Sequence, residues 1–148
     1  IFFNYAIGPS MREQTIHISR KDDSSSLLEI TKLQNKLFPG TYQESTSKID
    51  VIKLSDAIDR KQIQTKSLLK LDVQGYEYEA LLGCENLLDA FDNIYCECSF
   101  VELYTDQKLA HDVIKYLESR GFKLQGFYNT SYDKNNKAIQ SDFFFKKV

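Results

Sequence analysis

The sequence predicts an α/β fold: a mainly parallel sheet, covered by helices, with an antiparallel strand near its C-terminal end. The C-terminal half alternates between strand-like and helix-like segments joined by short connections, which is typical of parallel strands packed against helices. Its last two strand-like segments are separated only by the polar turn "SYDKNNK". A connection that short forces the final strand to run antiparallel to the one before it.

Length and composition are those of one globular domain. The chain has 148 residues, of which 42% are hydrophobic and 27% charged, so it holds enough apolar material for a core. Its formal net charge of -2, with scattered Lys and Arg, argues against nucleic acid or an anionic membrane as a partner. No apolar run approaches the length of a membrane span, and no signal peptide is visible. We therefore expect no nucleic-acid partner and no membrane partner, and the oligomeric state stays open.

The three cysteines are odd in number, which argues against a complete disulfide framework. Cys96 and Cys98 lie two residues apart in a strand-like segment, so both point to one face of a sheet. No second pair at zinc-finger spacing accompanies them. We expect reduced, half-buried thiols in a cytoplasmic protein, without a metal site.

The N-terminal half contains three strand-like segments. Residues 1–8, "IFFNYAIG", are apolar and end in the turn signal "GPS". Residues 14–19, "QTIHIS", alternate between apolar and polar and predict an exposed strand, the hairpin partner of the first. Residues 20–47 contain a polar Asp/Ser run, a short segment with amphipathic spacing and a "PG" break, and predict a loop-rich excursion. Residues 48–54, "KIDVIKL", predict a third strand, and Ser55 then predicts the N-cap of a short helix, "DAIDRKQI".

The C-terminal half predicts strands and helices in alternation: a strand over 67–73, a helix over 76–91, a strand over 93–100, a helix over 105–122, and strands over 123–129 and 138–148. We expect the strand over 67–73 to be buried. Glu77 and Glu79 fall in the first turn of the first helix, where the helix dipole favours acidic side chains. Gly121 is expected to end the second helix.

Two acidic residues stand where successive strands are predicted to end. Ligands of open α/β sheets bind outside the carboxyl ends of the strands, so Asp72 and Glu97 are candidates for a site. If the two strands are neighbours, both carboxylates lie at one rim, where they can orient a hydroxyl, accept its proton or hold a divalent cation. The alternative is that Asp72 only caps the following helix or binds loop amides.

Three segments resemble the FkbM family of methyltransferases. They are "LLKLDVQGYEYEALLGCENLL", "YCECSFVELYTDQKLAHDVIKYLESRGFKL" and "QSDFFF". The family pattern falls on Lys70, Asp72, Gly75, Glu77, Leu81 and Gly83, on Glu97, Phe100, Tyr104 and Gln107, and on Gln140, Asp142 and Phe145. "NYAIG" and "SSSLL" are also similar to family segments, so the resemblance covers almost the whole chain.

The resemblance implies a Rossmann-like class I methyltransferase fold and S-adenosylmethionine as cofactor. The acceptor would be a small molecule or glycan, methylated on a hydroxyl of a sugar, glycan or secondary metabolite. Asp72 and Glu97 would be catalytic, and Asn4 and Ala6 would lie near the adenine, with Asp72 also at the cofactor. Glu77 is expected to stabilise its helix rather than perform chemistry. The family usually has Glu where this chain has Gln74.

The same resemblance implies a single, partial domain over residues 1–148. The family's first two strands and its glycine-rich cofactor loop have no counterpart in the sequence. We therefore expect an N-terminally truncated fold that is inactive on its own. Two alternatives stay open: an α/β interaction module without catalysis, and another Rossmann-like transferase, such as a glycosyltransferase half. For the latter, the nearest match to a D-x-D motif is the pair at 22–23.

Overall fold

The computed structural model describes the backbone of residues 1–148 and every side chain except that of residue 22. The predicted acidic pair at 22–23 therefore lies partly outside the described residues. In chain order, the elements are β1 (Ala6–Ile7), β2 (Arg12–Ser19), α1 (Lys32–Leu37), β3 (Gln43–Ile52), α2 (Leu54–Ala57), β4 (Leu68–Leu71), α3 (Glu77–Gly83), β5 (Asn93–Ser99), α4 (Ala110–Ser119), β6 (Phe122–Tyr132) and β7 (Ala138–Lys147). Short 3-10 turns span Asp22–Ser24, Arg60–Gln62 and Leu88–Ala90.

The described backbone forms two sheets, with strand orders β1-β3-β2 and β4-β5-β7-β6. Of its five strand pairings, β1–β3 and β4–β5 are parallel and the other three are antiparallel. The predicted α/β class and the antiparallel C-terminal strand are confirmed, but the sheet is not mainly parallel. The reason is that β7 inserts between β5 and β6, and so pairs antiparallel on both of its sides.

The N-terminal pairing differs from the predicted hairpin. β2 pairs antiparallel with β3, from Arg12 opposite Val51 to Ile18 opposite Ser45, and not with β1. β1 instead pairs parallel with the end of β3, with Ala6 opposite Val51. β3 thus lies between β1 and β2 and pairs with both, although β1 and β2 are the neighbours along the chain. The excursion between β2 and β3 contains a helix, α1, which begins where the Thr31 side chain accepts a hydrogen bond from the Gln34 N–H.

The two predicted helices are shorter than the apolar pattern suggested. α3 ends at Gly83 and is followed by a turn and a 3-10 segment, so the pattern over 76–91 covers more than one element. α4 begins only at Ala110, because Gln107 Oε1 accepts hydrogen bonds from the N–H groups of Leu103 and Tyr104 and folds the preceding residues into a turn. At the other end, Gly121 has φ +83°, as predicted for the residue that ends the helix.

One apolar core joins both sheets to the helices. Its buried side chains include Val51 of the first sheet, Leu81 of α3, and Ile94 and Phe145 of the second sheet. The cysteines are free and fully buried, more than the predicted half burial. β4 was expected to be buried, but it is an edge strand, and Leu68 is 54% exposed. Among the described helices, none has both the length and the apolar character needed to cross a membrane.

Candidate active site

Asp72 and Glu97 lie side by side at the carboxyl ends of β4 and β5. The two strands are parallel neighbours with Leu71 opposite Cys96, so the residues that follow are next to each other at the rim. The Gln74 amide joins the two carboxylates: its Nε2 donates to Asp72 Oδ1 at 2.8 Å and to Glu97 Oε2 at 3.4 Å. The structure thus brings together the two residues that the sequence selected as catalytic candidates.

The Glu97 carboxyl lies in a partly buried, acidic environment. Burial raises its pKa to about 8, with further increases from the charges of Asp72, Glu77 and Asp142. Its Oε1 accepts a hydrogen bond from Gln140 Nε2 at 2.8 Å, from the neighbouring strand β7. A carboxyl with this pKa changes its protonation state near neutral pH, as proton transfer requires.

The turn after β4 depends on a glycine and on Tyr104. Gly75 has φ +95°, and a Cβ at this position would lie 2.7 Å from Tyr104 Cδ2, so the tyrosine ring packs directly on the turn. The Tyr104 hydroxyl donates to Gln74 Oε1 at 2.8 Å and so orients the amide that joins the two carboxylates. Gln74 itself has φ +53°, and its carbonyl accepts a hydrogen bond from Ser26 Oγ at 2.6 Å.

The amides of the same turn are bound by Glu77 rather than by Asp72. Glu77 Oε1 accepts from the Val73 N–H at 3.1 Å and the Gly75 N–H at 3.2 Å. Burial raises the pKa of Glu77 to about 7, although these hydrogen bonds act in the opposite direction. Among the described residues, the Asp72 carboxylate accepts hydrogen bonds only from the side chains of Lys70 and Gln74. The Asp72 side chain is therefore available at the rim, and Glu77 has the structural task.

Two clefts meet at Asp72. The polar cleft, about 300 Å³, is bordered by Asp72, Glu97 and Gln140 at the strand ends and by Gln34 and Phe38 on the α1 side. The apolar cleft, about 430 Å³, separates β1 from β4. It is lined by Ala6, Ile7, Leu27, Leu71 and Tyr76, with Asp72 at its edge. Small-molecule sites commonly have volumes in this range. A ligand in either cleft would contact the same carboxylate.

The predicted cofactor residues fall at different places. Ala6 and Asp72 line the apolar cleft. Asn4 is exposed, and it is not among the described residues that line that cleft, so its role stays a prediction. A third groove, about 500 Å³, lies between α1 and the β6–β7 hairpin and shares Phe38 with the polar cleft. Among its described lining residues, Asp133 is the one acid, so it lacks a carboxylate pair.

Gln34 and Phe38 were not selected from the sequence. They lie in the excursion over 20–47, where the sequence indicated a loop-rich segment with one short amphipathic piece, and no spacing there indicated that it folds back to the rim. A weak signal was available in "TKLQNKL", where Thr31 precedes an amphipathic segment as an N-cap does. Gln74 was noticed only as a departure from the family pattern, yet it contacts both carboxylates.

These features define an α/β domain whose candidate ligand site lies at the carboxyl edge of a sheet, with paired carboxylates between two clefts. A family model described as the methyltransferase FkbM domain matches residues 1–124. The chain therefore belongs to the FkbM methyltransferase family. No curated protein and no solved structure matches it significantly.

The family's motif residues have visible structural tasks. Gln107 Nε2 donates to Ser99 Oγ at 2.9 Å while its Oε1 binds the Leu103 and Tyr104 amides, so it ties the end of β5 to the following turn. Gly83 faces the backbone of Gly8, whose oxygen would lie 2.5 Å from a Cβ. The described residues contain no group of three or more His, Cys, Asp or Glu side chains arranged to hold a metal ion.

Proposed function

We propose that the protein is an O-methyltransferase that transfers the methyl group of S-adenosylmethionine to a hydroxyl of a sugar, glycan or secondary metabolite. The observation that carries the proposal is the meeting of the polar and apolar clefts at Asp72. Methyl transfer needs a donor and an acceptor held side by side, together with a group that takes the hydroxyl proton.

The residues of the apolar cleft fit the cofactor. Apolar walls such as Ala6 and Tyr76 suit the adenine ring, and the Asp72 carboxylate offers the negative charge that a cationic sulfonium compound favours. Tyr5, Ala6 and Asp72 would hold the cofactor in this cleft. When bound, S-adenosylmethionine supplies an electrophilic methyl group on a positively charged sulfur.

The two carboxylates would have different roles toward the acceptor hydroxyl. The reacting hydroxyl would donate its one hydrogen in a bifurcated hydrogen bond to both carboxylates, so that Asp72 would fix its oxygen and Glu97 would take the proton during methyl transfer. A pKa of about 8 suits Glu97 to this role, because an effective general base titrates near the working pH. The Gln74 and Gln140 amides hold the carboxylates in place.

The test is Asp72→Asn in the protein as its gene encodes it, assayed by transfer of a radiolabelled methyl group. We expect turnover to fall by about 100-fold or more, the size of the loss when a reacting group is no longer held in place. The thermal midpoint should hardly change, because the Asp72 side chain is exposed and binds only the side chains of Lys70 and Gln74 among the described residues.

Asp50→Asn is the matched control, since Asp50 is exposed on β3 and is absent from the described lining of both clefts. It should leave turnover and midpoint as they are. If Asp72→Asn lowers the thermal midpoint substantially, Asp72 has a structural role instead. If it leaves turnover intact, the assignment of Asp72 is wrong.

A further inference from the structure

The Gln34 side chain is a buried polar group whose oxygen has no partner. Gln34 is 3% exposed and lines the polar cleft on the α1 side. Its Oε1 has no hydrogen-bond partner among the described residues. Leaving such an oxygen unsatisfied costs about 1–3 kcal/mol. Less than 1 Å² of this oxygen is accessible, so it lies just inside the wall of the polar cleft that Gln34 lines, and a turn of the terminal amide would bring it to the cleft.

The local structure of α1 does not need this oxygen. The Gln34 backbone is already satisfied, because its N–H donates to Thr31 Oγ1 at 3.2 Å and its carbonyl accepts from the Phe38 N–H at 2.8 Å. An apolar side chain of the same length would pack in this position without an unsatisfied atom. The oxygen therefore has no role within α1, and a turn of the amide toward the cleft would place it where a ligand can donate a hydrogen bond.

The rest of the polar cleft indicates the chemistry of that ligand. All of its described lining residues are polar except Phe38, which offers an aromatic surface. Three acids, Asp23, Asp72 and Glu97, face one lysine, Lys21, so the lining disfavours a phosphate or carboxylate ligand. A neutral ring with several hydroxyl groups has the donors that the carboxylates need and a C–H face that can pack on Phe38.

We propose that Gln34 determines acceptor specificity by accepting a hydrogen bond from a second hydroxyl of a neutral, polyhydroxylated ring. The first hydroxyl lies at Asp72 and Glu97. The reactive role of that first hydroxyl rests on the proposed function, whereas binding of the ring does not. Recognition of the second hydroxyl by a buried acceptor is discriminating, because a ligand without it leaves the amide unpaired.

The experiment measures the affinity of methyl glucopyranoside and its four monodeoxy analogues for the wild-type protein and for Gln34→Leu, by calorimetry or saturation-transfer NMR. We expect the wild type to discriminate against one of the analogues by roughly tenfold, the worth of one hydrogen bond in a buried site. In Gln34→Leu, that discrimination should disappear, because the parent compound and this analogue then make the same contacts.

The thermal midpoint of Gln34→Leu is a second measurement. If Gln34 had only a structural role, its replacement would lower this midpoint. Gln34→Leu removes an unpaired buried oxygen, so its midpoint should equal or exceed that of the wild type. Gln125→Leu is the control, since Gln125 is exposed on β6 and is absent from the described lining of the polar cleft. It should keep the wild-type discrimination among the analogues.

Three results would overturn the inference: no binding of any of these compounds to the wild type, an equal loss of affinity for all of them in Gln34→Leu, or a lower midpoint of this variant. A methyl-transfer assay on the same compounds separates the two proposals. Discrimination that depends on Gln34, without any methyl transfer, supports the recognition role and counts against the proposed function. Methyl transfer with the same discrimination in Gln34→Leu as in the wild type supports the proposed function and overturns the role of Gln34.

Discussion

Gln74 shows how one side chain sets the properties of a carboxylate pair. Two carboxylates at one rim repel each other, and this repulsion contributes to the raised pKa of Glu97. The Gln74 amide donates to both and offsets part of the repulsion, and its own orientation is fixed by the Tyr104 hydroxyl. A Glu in place of Gln74 would add a third acid to the pair, so the amide keeps the candidate site less acidic.

Glu97→Gln tests the proton acceptor directly. If Glu97 takes the proton, it must be ionised, so turnover should increase as the pH rises through about 8. In Glu97→Gln, turnover should fall by about 100-fold, and the increase near pH 8 should disappear. The measurement is turnover against pH at saturating acceptor.

Asp142→Asn provides the matched control for that profile. The charge of Asp142 raises the pKa of Glu97, and its Oδ2 accepts hydrogen bonds from Tyr95 and Asn129 away from the two clefts. Without this charge, the increase in turnover should move to lower pH but persist. An unchanged profile in Glu97→Gln would assign the proton acceptor to another group.

The turn between β4 and α3 is the element that places the site. In this turn, Gly75 has a left-handed backbone conformation and the Tyr104 ring packs against it. The Glu77 carboxyl accepts hydrogen bonds from two backbone N–H groups of the turn. Gly75→Ala should destabilise the protein by more than the cost of conformation alone, because the new Cβ would lie 2.7 Å from the Tyr104 ring. We expect a loss of about 2–4 kcal/mol in urea unfolding, combining strain with overpacking.

Gly121→Ala isolates the conformational part of that loss. Gly121 also has a positive φ, but a Cβ there would have nothing within 4 Å. Its substitution should cost only about 1–2 kcal/mol, the penalty of the left-handed conformation for an L-residue. Equal losses at Gly75 and Gly121 would mean that the Tyr104 contact contributes nothing.

The sequence predicted elements better than it predicted their pairing. Local patterns located β5, β7 and the end of α4 at Gly121, because alternation, helical spacing and a C-terminal glycine are properties of short segments. The pairing of β2 with β3 depends on contacts about thirty residues apart, which no local pattern records. The exposure of β4 likewise depends on which strands lie beside it.

The candidate site, too, could be predicted only where short-range patterns and general rules apply. Asp72 and Glu97 follow from a general rule about strand ends, which needs only the order of strands and the parallel pairing of β4 with β5. Gln34 and Phe38 belong to the segment over residues 20–47. Tertiary contacts bring this segment back to the strand ends that carry Asp72 and Glu97. That return is held by contacts such as the hydrogen bond from the Thr31 side chain to the Leu103 carbonyl, at 2.7 Å.

At the scale of the whole molecule, the two sheets share one core, and the site lies where they approach each other. The Tyr76 side chain is buried beneath this region, and its hydroxyl accepts a hydrogen bond from Arg12 Nη2 of β2 at 3.0 Å. Ser26 makes a similar connection to the Gln74 carbonyl. The position of the rim therefore depends on packing between the sheets as well as on the strands that carry the carboxylates.

Two buried carboxyl groups at this junction should give the protein an unusual dependence of stability on pH. The pKa of Glu77 is about 7 in the folded protein, well above its ordinary value of 4.5. Between these two values, the folded state holds a proton that the unfolded state has released, so the free energy of unfolding falls as the pH rises. Below about pH 4.5 and above about pH 7, this group adds no slope, and Glu97 extends the falling range to about pH 8.

Glu77→Gln should remove the part of that slope that Glu77 contributes between about pH 4.5 and pH 7, while the part from Glu97 remains. The amide oxygen of Gln can still accept hydrogen bonds from the Val73 and Gly75 amides, but it cannot ionise. We expect similar stability at pH 4.5 and a gain on the order of 3 kcal/mol over the wild type at pH 8, measured by urea unfolding. Glu118→Gln, at an exposed position of α4, should follow the wild-type curve. A Glu77→Gln variant that loses stability at both pH values would instead show that the turn requires the carboxylate itself.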